Sequence, residues 1–109
     1  MEKEREENIL FSVMTPLGFC VRVSRSYWDV IINIKHPVMA GHEEEIKKVL
    51  QNPEEIRQSK TDGSVYLFYQ IRQIGRWVCA VTKKTNGEGF LITAYPTSSI
   101  KTGEKIWPK

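Results

Sequence analysis

The sequence predicts one α+β domain, in which an N-terminal hairpin and two or three short helices precede an antiparallel β-meander. Three observations carry this. Apolar residues alternate in successive runs across the C-terminal half, with short turns between them. A segment of helical periodicity, acidic at its start and basic toward its end, lies ahead of those runs. The length of 109 residues supports one core and one domain.

Taken in order, Met1–Asn8 is a charged tail, and the domain is expected from residue 9 to residue 109. Ile9 to Met14 reads as a strand. Thr15-Pro16-Leu17-Gly18 is a turn, with Pro at the second position and Gly at the fourth. Phe19 to Ser24 returns with Phe19, Val21 and Val23 alternating against Cys20, Arg22 and Ser24, which completes a hairpin. In the next segment Val30, Ile31, Ile32 and Ile34 favour a strand by propensity. Against that, Ser26 and Asp29 have the spacing of a capping box, and Trp28, Ile31, Ile32 and Lys35 share a helical face. A helix over Tyr27–Lys35 is the reading adopted, ended at His36 by Pro37.

Glu43 to Gln51 is a clearer helix with Ile46, Val49 and Leu50 as its buried stripe. Asn52-Pro53-Glu54-Glu55 looks like a fresh start, a short helical turn that carries Ile56 inward. Strands are expected over Ser64–Arg72, Arg76–Lys83 and Gly89–Tyr95, separated by a turn at Gly75 and an Asn86-Gly87 hairpin signal. Short links make these an antiparallel meander. The tail Ser98–Trp107 is a candidate edge strand.

Composition narrows the function classes. No apolar run approaches the roughly 20 residues that span a bilayer. The N-terminus has no apolar secretion segment, so a cytoplasmic protein without membrane attachment is expected. Cys20 and Cys79 stand alone in apolar surroundings and read as two small buried hydrophobes. A disulfide stays open on sequence alone, and a cytosolic setting argues against it. The net charge is +3 and unevenly spread. Residues 1–8 hold two basic and four acidic side chains, whereas Arg57, Lys60, Arg72, Arg76, Lys83 and Lys84 face only Asp62 between residues 57 and 84. Tyr66, Phe68, Tyr69 and Trp77 are interleaved there, a mixture that suits RNA through phosphate attraction and base stacking. The plain alternative is a solvated sheet face whose aromatic residues belong to the core.

The chemistry is bounded by scarcity. There are two histidines, His36 and His42, and two aspartates, with no metal-type spacing. No phosphate-binding glycine loop and no nucleophile elbow occur, so neither a nucleotide cofactor nor a metal is expected. RNA cleavage by the adjacent 2′-hydroxyl needs only a base, an acid and donors for the growing phosphorane charge. Histidine suits the first two tasks. His36 lies at a helix end beside Pro37, so its ring is expected near the surface, while His42 precedes the second helix. Thr93 and Tyr95 are two apart on a strand and share a face, with Leu91 and Thr97 joining them if the strand extends. Arg57 and Ser59 follow the short helical turn, and Lys83 ends a strand. Each of these residues, taken singly, also fits an ordinary structural role.

Four pieces stand together in order and spacing: His36-Pro37-Val38-Met39, Pro53-Glu54-Glu55-Ile56-Arg57-Gln58-Ser59, Val65-Tyr66-Leu67-Phe68-Tyr69, and Gly89-Phe90-Leu91-Ile92-Thr93-Ala94-Tyr95-Pro96-Thr97. Over roughly residues 27 to 107 the chain resembles the phage and toxin branch of the barnase–EndoU–colicin–RelE-like nuclease superfamily. The Thr-Ala-Tyr ending of a late strand, with a His-Pro upstream, is the most specific element. The resemblance implies one or two helices followed by a four-stranded antiparallel sheet. It also implies a metal-independent endoribonuclease of toxin type, held silent by a cognate antitoxin protein. By position it points to His36 as the acid–base group and to Thr93 and Tyr95 as phosphate or transition-state contacts. Arg57, Ser59 and Tyr69 match recurring positions. Lys83 is added from its charge and place, as an RNA contact. The competing expectation is a non-catalytic RNA- or protein-binding module that keeps the nuclease-like fold. The lone histidine of the expected site is what supports that second reading.

Overall fold

The computed structural model describes residues 8–100 and 103–108. The charged tail therefore lies outside the described residues except for Asn8, as do residues 101–102 within the expected C-terminal edge segment. The protein is α+β, and its described residues form two α-helices and one mixed sheet of seven strands. The strands are β1 (Ile9–Met14), β2 (Cys20–Ser24), β3 (Glu55–Gln58), β4 (Val65–Gln73), β5 (Arg76–Thr85), β6 (Glu88–Thr97) and β7 (Glu104–Trp107). Their spatial order is β1-β2-β6-β5-β4-β3-β7. No helix among the described residues is long and apolar enough to cross a membrane.

The hairpin forms as the sequence predicts, with Val13 opposite Val21 and Met14 opposite Cys20. Its turn is tied by Thr15, whose hydroxyl donates to the Phe19 carbonyl at 2.9 Å and accepts from the Leu17 N–H at 3.2 Å. Helix α1 spans Arg25–Val30 and continues as a π turn over Ile31–Lys35, so the helical reading of this apolar segment holds. The cap differs from expectation. Ser24, not Ser26, accepts from the Tyr27 N–H at 3.0 Å, because β2 ends there and the helix starts two residues early. The π turn closes with the His36 N–H on the Ile31 carbonyl at 2.7 Å, five residues back. Pro37 then begins a 3₁₀ turn, Pro37–Met39, and His36 leaves the helical region, as a residue before proline tends to.

Helix α2 spans Glu43–Gln51, as expected, with Ile46, Val49 and Leu50 fully buried. The following segment corrects the sequence reading. Glu55–Gln58 is not a helical turn but strand β3, paired antiparallel with β4 on one side and β7 on the other. The capping signals at Asn52-Pro53 are local, whereas here the backbone donors find partners across the sheet, beginning with Glu54 N–H on the Tyr69 carbonyl at 2.7 Å. Ile56 is buried all the same.

The meander β4-β5-β6 is antiparallel throughout. Its second turn has positive φ at both central residues, Asn86 (52°) and Gly87 (82°), as a tight hairpin requires. The Ser98–Trp107 tail supplies the edge strand β7. The sheet as a whole is mixed, not purely antiparallel. The hairpin joins the meander through a parallel pairing of β2 with β6, Val21 against Gly89 and Arg22 against Phe90.

Both helices cover one face, where Val21, Val23, Trp28, Ile31, Ile46, Leu50, Ile56, Phe68, Val78, Ala80 and Ala94 form a single core. β6 changes face midway. Val81 pairs with Thr93 but Thr82 pairs with Leu91, leaving Ile92 as the extra residue of a bulge. Leu91 and Ala94 therefore both point into the helical core, and Leu91 does not share the Thr93–Tyr95 face. Strict alternation mispredicts it because a bulge inverts every side chain beyond it.

The parallel junction depends on Gly89. A methyl group there would meet the Cys20 carbonyl and the Phe19 ring, both at 2.8 Å. Gly89→Ala is expected to cost about 1–3 kcal/mol of folding stability, read as a lower urea midpoint. Gly63→Ala, where the nearest atom is a flexible Gln58 side-chain nitrogen at 3.7 Å, should change the midpoint little.

Candidate functional site

Two uncommon backbone features converge on β6. The π turn carries Lys35 and His36 toward the strand, and the bulge at Ile92 meets them. Both kinds of irregularity concentrate at functional sites, since each re-aims side chains that regular geometry would direct elsewhere. Beyond Phe90, β6 pairs with β5 on one side but has left β2 on the other. Tyr27 and Lys35 stand there: the Tyr27 hydroxyl donates to the Ile92 carbonyl at 2.9 Å, and the Lys35 ammonium donates to the same carbonyl at 3.1 Å and to the Tyr27 oxygen at 2.7 Å. An ammonium has three donors, so one N–H of Lys35 remains uncommitted among the described residues. The next residue, His36, lays its ring against that of Tyr95, with centroids 5.2 Å apart at 42°.

The expected site residues fall into two groups. His36, Thr93, Tyr95 and Tyr69 share a neighbourhood. Thr93 and Tyr95 lie on the face away from the helices, and strand register places Tyr95, Cys79 and Tyr69 in one row across β6, β5 and β4. Tyr69 and Cys79 are fully buried. The hydroxyl oxygens of Thr93 and Tyr95 are also buried. The Tyr95 ring holds His36 by ring contact, and its hydroxyl lies beside the Cys79 thiol. Burial, and then the Cys79 thiol and Tyr69 phenol beside it, push the Tyr95 hydroxyl well above the usual phenol range, so it keeps its proton.

Arg57, Ser59 and Lys83 lie elsewhere. Arg57 is in register with Leu67, Val81 and Thr93, three strands from Thr93, about 14 Å at the usual spacing. Its guanidinium is engaged by Glu55 and by the Gly103 carbonyl at 3.1 Å. Ser59 stabilises its own loop, accepting from the N–H groups of Thr61 and Asp62. Lys83 reaches Asp62 at 3.7 Å, toward the opposite end of β5 from Cys79. Hydrogen bonds from the Ser64 hydroxyl and N–H hold the Asp62 carboxyl below its ordinary range. The second histidine is far from this site in role. His42 Nδ1 lies 3.0 Å from Glu45, which takes two hydrogen bonds from Arg72 and so joins α2 to β4. Arg72 is the leading cause of the lowered Glu45 carboxyl.

The sequence reading missed Lys35 and Tyr27 as site residues. Their eight-residue separation carries no signal of its own, since the π turn and the bulge decide where they meet. It also placed Cys20 in the interior. Cys20 is exposed, and neither cysteine is in a disulfide. The alternation of β2 sets it on the Arg22 side, so that signal was available and buried context was the wrong inference. No group of three or more His, Cys, Asp or Glu side chains capable of holding a metal occurs among the described residues.

Because the folded state favours the neutral Tyr95 phenol, its contribution to stability is complete below the unfolded pKa of about 10 and is lost as pH rises from there through the raised folded value. Tyr95→Phe should therefore lose less stability than the parent between about pH 9.5 and 11.5 in denaturant titrations. Parallel declines would show that the phenol is not disfavoured from ionising. No family model matches the sequence, and neither a curated protein nor a solved structure matches it.

Proposed function

We propose that this protein is a metal-independent endoribonuclease of toxin type that cleaves RNA through attack by its own 2′-hydroxyl. The observation that carries the reading is the pairing of His36 on the Tyr95 ring with Lys35 on the Ile92 carbonyl. This sets an imidazole and an ammonium side by side along one strand. Ile92 and Tyr95 are three residues apart, on the order of 10 Å, so the two groups stand at neighbouring points of one strand. Helices placed ahead of the antiparallel unit β3-β4-β5-β6 agree with the barnase–EndoU–colicin–RelE-like arrangement that the sequence resembles. Fold alone does not carry activity, so the weight rests on the site.

In this reading neutral His36 accepts the proton of the 2′-hydroxyl as its oxygen bonds to phosphorus. The P–O5′ bond breaks, and the leaving oxygen takes a proton from the Lys35 ammonium. The products are a 2′,3′-cyclic phosphate and a free 5′-hydroxyl. Lys35 also offsets the negative charge gathering on the phosphorane. Tyr95 and Thr93 support this arrangement from below: Tyr95 orients the imidazole, and Thr93 packs beside it on the same strand face. Arg57, Ser59 and Lys83 serve RNA at a distance from the reacting phosphorus. A small antitoxin protein acidic enough to meet the basic central segment is the expected partner.

The second reading, a binding module without catalysis, is favoured by one observation: the hydroxyls of Thr93 and Tyr95 are buried and present nothing to a substrate. The two are separated by incubating the purified protein with RNA in the presence of chelator and identifying the product ends. Cyclic phosphate ends are expected, with His36→Ala reduced about 10²–10⁴-fold and His42→Ala close to the parent. Lys35→Ala should fall as well, and more than Lys48→Ala. Cleavage that persists at a 2′-deoxy position would exclude 2′-hydroxyl attack, and intact RNA throughout would leave the binding reading.

A further inference from the structure

A second constellation lies on the same sheet face, at the other end of β6. Strand register aligns Arg22 of β2, Phe90 of β6 and Lys83 of β5 in one row. Phe90 is 36% exposed, a large aromatic ring left in water between two cations. The Arg22 guanidinium lies over that ring, 4.9 Å from its centroid. Beside Arg22 is a hollow of about 180 Å³, lined by Ser12, Cys20, Gly87, Glu88 and Gly89. It is too small for a drug-sized ligand and of a size for one planar base. Gly87 contributes no side chain to its wall.

The geometry points to this row as a nucleotide-binding subsite for single-stranded RNA, in which a base stacks on Phe90 and Arg22 while Arg22 and Lys83 hold the flanking phosphates. It rests on the RNA reading above and names the form of RNA taken. Single strands are recognised by splayed bases stacked on aromatic rings or on guanidinium planes, and here the guanidinium lies over the ring. A duplex offers no base face to such a platform. Each cation is paired with an exposed carboxylate, Arg22 with Glu88 at 2.7 Å and Lys83 with Asp62 at 3.7 Å. Exposed pairs of this kind contribute little, so a phosphate can replace either carboxylate. From Phe90 to Tyr95 the strand runs about 16 Å, which sets this platform a short stretch of nucleotides from His36.

The test is binding of a fluorescent single-stranded oligoribonucleotide with every 2′-hydroxyl methylated, which binds without being cut. Phe90→Ala should weaken binding roughly 5- to 150-fold, the range for loss of one base–aromatic stack, and Phe90→Tyr should restore it. Arg22→Ala and Lys83→Ala should each lower the slope of log affinity against log salt by about one, whereas Lys48→Ala on α2 should not. Glu88→Gln, which removes a competing carboxylate, should tighten binding. Bound oligonucleotide should also slow alkylation of the exposed Cys20 thiol, the buried Cys79 serving as internal reference. Phe90→Ala binding within twofold of the parent, or undiminished Cys20 alkylation, would overturn the subsite while leaving any cleavage dependent on His36 intact. Phe90-dependent binding without cleavage of natural RNA would establish the subsite and end the nuclease reading. No binding by the parent protein would overturn the subsite outright.

Discussion

The close approach of β2 to β6 at Gly89 is the constraint on which the rest of the structure depends. A Cβ there would overlap the Cys20 carbonyl and the Phe19 ring. Without one, the hairpin docks in parallel on the meander and a single seven-stranded sheet results. β2 runs on past that pairing, along β1, to Ser24, which caps α1. The pairing is short, only Val21–Gly89 and Arg22–Phe90. Beyond it β6 is released on that side, and Tyr27 and Lys35 satisfy the half-buried Ile92 carbonyl instead of a strand partner. A buried or half-buried carbonyl needs such a partner, so the candidate site and the end of the parallel ladder share one cause.

The two irregularities at that place reinforce each other. The bulge at Ile92 turns Thr93 and Tyr95 away from the helical core while keeping Leu91 and Ala94 in it. The π turn adds one residue to the helical path, so that Lys35 and His36 arrive at successive points of β6. An uninterrupted α-helix and an unbulged strand would aim these side chains differently. The result is an imidazole seated on a phenol ring and an ammonium held by two oxygens, both with fixed geometry. Groups held in this way lose little freedom when a substrate arrives, which is the main advantage of preorganised sites.

Charge on the sheet is more local than composition suggests. The central segment is strongly basic, yet Arg57, Arg72 and Lys83 each have a carboxylate neighbour at Glu55, Glu45 and Asp62. Two of these pairs are structural in effect: Glu45 with Arg72 joins α2 to β4, and Glu55 with Arg57 lies within β3. Arg22 differs, because its guanidinium is also stacked on an exposed ring. Net charge favours encounter with an anionic polymer, while the positions of individual cations decide what it would meet on arrival.

Much of the fold is legible in the chain itself. The period-2 runs, the Asn86-Gly87 turn, the buried stripe Ile46–Val49–Leu50 and the break at His36-Pro37 are local signals, and local physics honours them. The site is legible only in part. His36, Thr93 and Tyr95 were singled out and do lie together, whereas Arg57, Ser59 and Lys83 lie apart from them, and Lys35 and Tyr27 gave no sign. The helical signals at Asn52-Pro53 lost to strand pairing at Glu55–Gln58, because the sheet supplies hydrogen bonds on both sides that a single helical turn cannot. By itself, then, the sequence determined the class, the order of elements apart from β3 and the buried stripe of α2, all set by periodicity and turn chemistry within a few residues. Tertiary structure alone decided the parallel junction, the inversion of face at Ile92 and the meeting of Lys35 with β6, because each depends on a contact between segments dozens of residues apart.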